Sequence, residues 1–332
     1  MPENRKKKHK IRRDIKINHI YSKFERRSLF QILKILSMRN VFFASLVFVF
    51  SLTVNEVKSQ EGVEDFLNTY IDDNTGPFVQ PLFELMTANL NTGLREWSAI
   101  DSSFYIRIGI NVMSSYPSSA QKTFTAKTNE SFEPFSTAEA PTIIGAIEPV
   151  EVNGVNGTSY IFPGGYNLKA LPMASPQITI GGFFNTELSG RYFAIELDDN
   201  LGSLSLLGLG FRHAINPYFP KLPIDLSVGY YFHQFKDDPY INSKMHLGSL
   251  HIGKSGRWWS SQLMLGYQDA KTDLSYTYTK DEEVKTKELK IGIDNHFVAE
   301  LSASLKLWIL NVHGAINYSG PVTGALGLSL DF

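Results

Sequence analysis

Hydrophobic and polar residues alternate along most of the chain from Ser102 to the C-terminus. The clearest example is the segment 297–307. Leu301 and Leu305 fall on one face of that segment, whereas Glu300 falls on the other. Alternation of this kind indicates a β-strand with one apolar and one polar face. The pattern predicts an all-β body with further strands at 103–113, 177–184, 188–197, 203–215, 224–235, 243–253, 258–268, 272–279, 287–293, 311–319 and 322–332.

A helical pattern precedes the strands, at residues 63–94. Apolar residues recur there at spacings of three and four, which favours a helix with one apolar stripe. The stripe consists of Phe78, Leu82, Leu85, Met86 and Leu90. Gly76-Pro77 is expected to break the segment into two helices, roughly 63–73 and 78–91.

Alternation alone does not separate a membrane barrel from a soluble β-sandwich, because each has an apolar and a polar face. The last strand favours the barrel. Its apolar face includes Leu328 and Leu330, and Phe332 ends the chain in the same register. A terminal aromatic on such a strand resembles the assembly signal that the outer-membrane barrel-assembly machinery reads. We therefore predict a transmembrane antiparallel β-barrel in the cell outer membrane, surrounded by outer-membrane lipid.

The polar strand faces should line the lumen of this barrel. A lysine at the middle of the membrane and facing lipid would cost about 2–4 kcal/mol. The residues predicted to project into the lumen are Arg107, Arg212, Glu300 and Lys306. These four charged residues have two interpretations. They are either paired charges that hold an internal plug to the wall, or they form part of a path for solutes.

Two considerations predict the strand number. One is the side of the membrane on which each end of the barrel lies, and the other is whether two long segments form one strand or two. The C-terminus and the exported N-terminal helix should both be periplasmic, which requires an even number. Splitting 258–279 and 286–307 into two strands each gives about twelve, our prediction, within a range of 10–14. Residues 60–101 are predicted to be a helical segment that plugs the lumen, and 102–332 to be the barrel. Region 114–176 is too long for a tight turn and contains a candidate hairpin near 141–163.

Charge is distributed unevenly along the chain. Residues 1–37 carry a net charge of +9, whereas the chain from Gln60 onward carries −11. The apolar run 41–54 has the length of a signal-peptide core and is short for a membrane span. Residues 38–59 are predicted to be a signal peptide cleaved before Gln60; a retained signal anchor is the alternative. Residues 1–37 are interpreted as a non-structural extension from an over-long gene prediction, with a nucleic-acid-binding arm as the alternative.

Sequence motifs for catalysis are not found. The chain has no cysteine, which excludes disulfides and thiolate metal sites. It also lacks a Gly-x-Ser-x-Gly phrase, a His-Glu-x-x-His phrase and a phosphate loop. His246 and His251 are five apart, so they should lie on opposite faces of a strand. We expect no enzymatic activity, no cofactor, no metal site and no nucleic-acid partner.

Two phrases in the body resemble a known family. One is Leu171–Gly181, which reads LPMASPQITIG and leads into Thr186-Glu187-Leu188 and Arg191-Tyr192. The other is Leu206–Ile215, which reads LLGLGFRHAI. They resemble the uncharacterised outer-membrane barrel family of Bacteroidetes-type bacteria called domain of unknown function 6588. The resemblance implies an outer-membrane barrel and assigns no activity. A helix before a barrel is also loosely similar in architecture to the hydrophobic-compound channels related to the fatty-acid transporter, in which an N-terminal segment plugs the lumen.

Two functions follow as hypotheses. The first is a porin-like channel or transporter for small solutes, hydrophobic ones included, because a polar lumen and a helix that could plug it are both predicted. The second is a structural or interaction barrel that presents region 114–176 to a partner. A soluble periplasmic β-protein is a weaker alternative.

Overall fold

The computed structural model describes residues 72–129, 131–196, 203–219, 221–280 and 283–332. The predicted extension 1–37 and signal peptide 38–59 lie outside the described residues. The described chain begins with one helix, α1 (Asp72–Leu90). Among the described residues, no helix is long and apolar enough to cross a membrane.

Fifteen strands follow in the described residues. They are β1 (Tyr105–Tyr116), β2 (Thr123–Lys127), β3 (Thr137–Pro141), β4 (Val150–Asn153), β5 (Ser159–Phe162), β6 (Leu171–Phe183), β7 (Thr186–Glu196), β8 (Ser203–Ala214), β9 (Asp225–Asp238), β10 (Ile241–Ser255), β11 (Trp259–Lys280), β12 (Glu283–Ile291), β13 (Phe297–Leu307), β14 (Leu310–Tyr318) and β15 (Val322–Asp331). The predicted all-β body after a helical start is confirmed.

Ten of these strands close into an antiparallel barrel. The order around the ring is β1, β6, β7, β8, β9, β10, β11, β13, β14 and β15, and β15 pairs with β1. The last bonds of that closing ladder involve Phe332. The N–H of Phe332 donates to the carbonyl of Ile106 at 2.9 Å, and the N–H of Ile106 donates to the carbonyl of Phe332 at 3.1 Å. Because the ring is closed, each of its strands pairs with a neighbour on both sides along at least part of its length.

The ring of ten lies at the lower limit of the predicted range of 10–14, and the specific prediction of twelve is wrong. Residues 258–279 form one strand, β11, rather than two. Residues 286–307 do divide into β12 and β13, but β12 lies outside the ring. It pairs only with the far part of β11, over Thr272–Lys280, while the near part of β11 pairs with β13. The predicted hairpin near 141–163 is formed by β4 and β5, also apart from the ring.

The two ends of the barrel differ in their connections. One end, called the turn end, carries the links 184–185, 215–224, 256–258 and 308–309, together with the start of β1 and the end of β15. The opposite end, called the loop end, carries the short links 239–240 and 319–321, the β11–β12 hairpin and the long connection 117–170, called the cap. Because the number of strands in the ring is even, the start of β1 and the end of β15 lie at the same end of the barrel, as the parity argument requires.

The segment 72–98, called the plug, runs through the barrel from the loop end to the turn end. Near its start, Asn74 exchanges two hydrogen bonds with the backbone of Lys127 in the cap, at 2.7 and 3.0 Å. At its other extremity, the N–H of Ser98 donates to the hydroxyl of Ser260 at 2.8 Å, beside the first residue of β11. The described start of the helix therefore lies at the end opposite to Phe332, whereas the parity argument assumed the same end.

The predicted break at Gly76-Pro77 is also wrong, because α1 is continuous and contains both Pro77 and Pro81. A proline inside a helix removes a backbone hydrogen bond and costs about 3 kcal/mol. Burial compensates here, since Phe78 and Leu85 are enclosed by the barrel and the cap and are at most 1% exposed.

The alternating pattern sets the two faces of the wall. Outward side chains are apolar and exposed, for example Leu301 at 63% and Leu326 at 71%. Inward side chains in the loop-end half join α1 and the cap in an apolar cluster. Its main members are Phe78, Val79, Phe83, Leu85, Met86 and Leu90 of the plug, Ile143, Ile144 and Phe162 of the cap, and Leu206, Met245, Leu274 and Ile291 of the strands. The other inward positions are mostly polar; they fill the turn-end half and, on β1, β14 and β15, continue to the loop end with Ser115, Asn317 and Thr323.

The outward face yields a depth-dependent prediction. Leu301 lies at the middle of β13 and Leu307 at its turn end, and both are exposed. Leu301→Arg should destabilise the barrel by about 2–4 kcal/mol in a bilayer, whereas Leu307→Arg should cost only about 0–1 kcal/mol, because arginine near the interface reaches water. Denaturant unfolding from phospholipid vesicles measures both values. Equal costs at the two depths would contradict a lipid-facing outer wall.

Candidate functional site

The site is the contact between the barrel wall and the last residues of the plug, 91–98, called the plug tail. The tail follows α1 without regular secondary structure and fills the polar half of the lumen. Gly93 allows the chain to turn there, with φ +64°. A Cβ at this position would also meet the Cβ of Ala325 on β15 at 3.1 Å. Only glycine combines this backbone conformation with so close an approach to the wall.

Arg95 of the plug tail forms an ion pair with Glu300 of β13. Both side chains are completely buried. The other carboxylate oxygen of Glu300 accepts a hydrogen bond from the N–H of Gly93 at 3.1 Å. The guanidinium also lies 5.6 Å from the ring centroid of Tyr231. One wall carboxylate therefore neutralises the plug's arginine and holds its backbone.

Arg191 of β7 binds the end of the helix. Its guanidinium donates to the carbonyls of Leu90, Thr92 and Gly93 at 3.0, 3.2 and 2.9 Å. The last carbonyls of a helix have no partner within it and carry partial negative charge, which an arginine satisfies. The Nε of Arg191 donates to Gln177 of the neighbouring strand β6 at 2.9 Å. Arg191 thus connects two wall strands and the plug.

A third group of charges lies nearer the turn end. Glu187 lies between Arg107 and Arg212, at 3.5 and 3.1 Å, and accepts a hydrogen bond from the hydroxyl of Tyr105 at 2.7 Å. Arg212 in turn donates to the carbonyl of Ser98 in the plug tail at 3.3 Å. Arg107 also lies 3.5 Å from Asp331 of β15. The group is almost fully buried, so its arginines are paired with carboxylates of the wall, and Arg212 links it to the plug.

Glu96 and Ser98 complete the contacts of the tail. The carboxylate of Glu96 accepts a hydrogen bond from the hydroxyl of Ser329 at 2.8 Å, and its carbonyl accepts one from Ser304. The hydroxyl of Ser98 donates to Asp225 at 2.5 Å. The tail is therefore held by polar side chains from β7, β8, β9, β11, β13 and β15.

The structure places the four predicted lumen residues as follows. Arg107, Arg212 and Glu300 are inside the barrel and at most 2% exposed. Lys306 faces inward at the turn end, where its side chain is one-third exposed and pairs with Asp331 at 2.5 Å.

Leu328, Leu330 and Phe332 share the outward face, with Phe332 exposed. Their role as an assembly signal stays a prediction.

Sequence reasoning did not single out Arg95, Glu96 or Arg191. Arg95 and Glu96 lie beyond the helical stripe, yet they fall within the predicted plug segment 60–101. A charged residue in a segment enclosed by a barrel must have an opposite charge or polar group on the wall. That argument could have marked them, although it could not have named their partners.

His246 and His251 lie on opposite faces of β10, as their spacing predicts. His251 faces inward and bonds Ser249 at 2.8 Å, whereas His246, on the opposite face, bonds Tyr230 at 2.7 Å. In the part of the chain that the structure describes, no group of three or more His, Cys, Asp or Glu is arranged to hold a metal ion.

A closed antiparallel barrel with an apolar outer wall and a polar interior filled by its own chain has the architecture of transmembrane β-barrels. Residues 38–332 match the Family of unknown function (DUF6588), and the chain belongs to that family. The resemblance of the phrases at 171–181 and 206–215 is thereby confirmed.

Solved structures similar to this chain include three bacterial proteins. Ail, the attachment invasion locus protein of Yersinia pestis, in complex with sucrose octasulfate, is 8% identical and covers 69% of this chain and 99% of its own, with a TM-score of 0.25. The translocator domain of autotransporter NalP from Neisseria meningitidis is 12% identical and covers 80% and 99%, with a TM-score of 0.29. The Ralstonia pickettii toluene transporter TbuX is 7% identical and covers 71% and 90%, with a TM-score of 0.16. Similarity this low carries no weight for function, and no curated protein matches the sequence.

The Arg95–Glu300 pair yields a prediction about stability. Glu300→Ala leaves the buried guanidinium without its counter-charge, which should destabilise the protein by about 3–5 kcal/mol. Glu288→Ala, on the exposed face of β12, is the matched control and should have no measurable effect. Denaturant unfolding in lipid or detergent measures both. Equal stability of the two variants would contradict the role given to this pair.

Proposed function

We propose that the protein is an outer-membrane channel for small solutes, with apolar solutes favoured, and that the plug closes it at rest. The observation that supports the proposal most is the division of the lumen. The loop-end half contains the apolar cluster, and the turn-end half is filled by the plug tail and its polar contacts. A solute that enters at the loop end therefore meets apolar side chains first and the closed tail second.

The plug tail is the part of this closure that can move at the lowest cost. It has no helix or strand of its own, and it is held by side-chain hydrogen bonds and the Arg95–Glu300 ion pair, with Leu94 packed in a small apolar cluster. Such contacts can be exchanged for contacts with water, and buried ion pairs contribute little net stability because the desolvation of their charges opposes their attraction. The apolar packing of α1, by contrast, is lost when it is hydrated.

The interior wall also contains polar atoms that the plug does not satisfy. Among the described residues, both ring nitrogens of His233 and both amide atoms of Asn317 are buried without a hydrogen-bond partner. A buried polar group without a partner is costly, so hydration of these groups would be favourable once the tail moves.

The proposal includes a location and partners. The exposed apolar wall suits contact with outer-membrane lipid, and Leu328, Leu330 and Phe332 at the end of β15 suit recognition by the barrel-assembly machinery. We propose no enzymatic step, since the contacts of the site balance charge and hold a segment in place.

A disulfide that fixes the plug tail tests the proposal. The chain has no native cysteine, so Ser98→Cys with Ser260→Cys introduces a single pair between plug and wall. Under oxidising conditions, openings in planar bilayers and uptake of naphthalene by cells should be lost, and a reductant should restore both. Val112→Cys with Leu326→Cys, a paired position on the outward face between β1 and β15, is the control and should conduct in both states. An unchanged flux through the fixed plug, or no flux in any variant, would refute the proposal.

A second function, presentation of the cap to a partner, is favoured by exposed apolar side chains on that segment. Phe135 is 56% exposed, Ile161 is 53% exposed and Tyr166 is 49% exposed. Replacement of Phe135 and Ile161 by serine should then remove a partner that cross-links to the intact protein in cells. If the cross-linked products are the same for both proteins, the cap does not act through these side chains.

A further inference from the structure

The ladder between β6 and β7 is incomplete. The two strands pair from Gln177 to Gly181 and again at Phe183, and the pairing stops at Gln177 with Arg191. Beyond that point, β6 continues to pair with β1 as far as Leu171, and β7 continues to pair with β8 as far as Glu196. Residues 171–176 and 192–196 thus face one another without ladder bonds in the described structure. This interruption, called the seam gap, lies in the loop-end half of the wall.

Two prolines explain why the ladder stops there. Pro172 and Pro176 have no N–H to donate, and because they are four residues apart on a strand they lack it on the same edge. The ladder from β6 to β1 runs past both without interruption, so the edge without donors is the one that faces β7. A proline within a sheet is normally confined to such an edge. The sequence of β6 therefore opens this part of the seam.

The seam gap has a defined lower limit. Arg191 and Gln177 form the last backbone pair, and their side chains are also joined by a hydrogen bond of 2.9 Å. The same arginine binds the carbonyls at the end of α1. The opening is therefore limited to the wall around the helix and does not extend to the plug tail.

The surroundings of the seam gap are apolar on both sides. On the inward side, Leu171, Met173 and Phe193 are half-buried and pack against the apolar cluster. On the outward side, Tyr192 is 64% exposed, and Ile195 on the inward face is 36% exposed. A path through the gap therefore leads from the outer face of the barrel to the apolar cluster without passing a charged side chain of these residues.

We propose that the seam gap is a lateral portal through which a small apolar molecule passes between the surrounding lipid and the apolar cluster. The portal rests on the proposed function, because it supplies the entry or exit route of that channel. A strand from another protein is a poor occupant, since two of the positions that it would need as donors are prolines. A charged or strongly polar solute is also a poor occupant, since Leu171, Met173, Tyr192 and Phe193 offer it no counter-charge.

The geometry of the gap can be tested independently of transport. Extending the register by three residues places Ala174 opposite Ala194, and both lie on the outward side. Oxidation should link Ala174→Cys and Ala194→Cys much more slowly than Tyr192→Cys and Leu207→Cys, a paired position of β7 and β8 at the same depth. Equal rates of disulfide formation would show a closed seam and overturn the portal. Cross-linking of Ala174→Cys to a second protein would instead identify a partner strand and overturn it too.

Transport supplies the second readout, with naphthalene as the probe. A long bis-maleimide linking Ala174→Cys to Ala194→Cys should reduce uptake to the background of cells without the protein, whereas the linked control pair should retain it. Pro172→Thr with Pro176→Thr restores the missing donors and should also reduce uptake. Full uptake in the linked seam variant would overturn the portal and leave the channel intact. No uptake by the unlinked protein would overturn the channel itself, and the portal with it.

Discussion

The closing ladder between β1 and β15 is the constraint on which the rest of this structure depends. A sheet that spans a hydrocarbon layer must satisfy its backbone groups internally, and an open edge would leave a row of them without partners. The mutual hydrogen bonds of Ile106 and Phe332 complete that ladder at the turn end. Closure fixes which residues face inward, and the enclosed volume is then filled by water or by the chain itself. In this protein the plug fills it.

Filling the lumen with the chain brings charges into the interior, and the arginines there have carboxylate or carbonyl partners. Arg95 is paired with Glu300, and Glu187 is shared between Arg107 and Arg212. Arg191 binds the partial negative charge at the end of α1 instead of a carboxylate. These contacts specify the position of the plug more than they stabilise it, because desolvation offsets much of their attraction. A closure built in this way is well defined and still capable of opening.

Much of the fold could be predicted from the sequence because a strand in this wall has a period of two and faces two different environments. The alternation located most strands to within a few residues and placed Arg107, Arg212 and Glu300 inside. It could not decide the ring size, because β12 has the pattern of a strand but pairs only with the far part of β11. It also could not show that α1 continues through Pro77, since packing inside the barrel is absent from local sequence.

The candidate site was predictable only in part, for a related reason. Periodicity shows which face of a strand a charged residue occupies, but it does not show the partner of that charge, which for Arg95 lies 205 positions away in the sequence. Arg95 and Glu300 meet only because the plug passes through the ring. Pro172 and Pro176 carried a signal that was available from the start, since prolines at the same edge of a strand weaken one seam. The affected seam could be identified only once the structure showed that β7, and not β1, lies on the edge of β6 where the two prolines lack an N–H.

The central claim is that the plug tail closes the lumen and can leave it while the barrel stays folded. Amide hydrogen exchange of the protein in lipid bilayers tests this most directly, because it reports local opening separately from global unfolding. The account predicts that residues 91–98 exchange well before the paired amides of β1 and β15. Exchange of the tail at the same rate as those strands would mean that the plug is released only when the barrel unfolds, and would contradict the account.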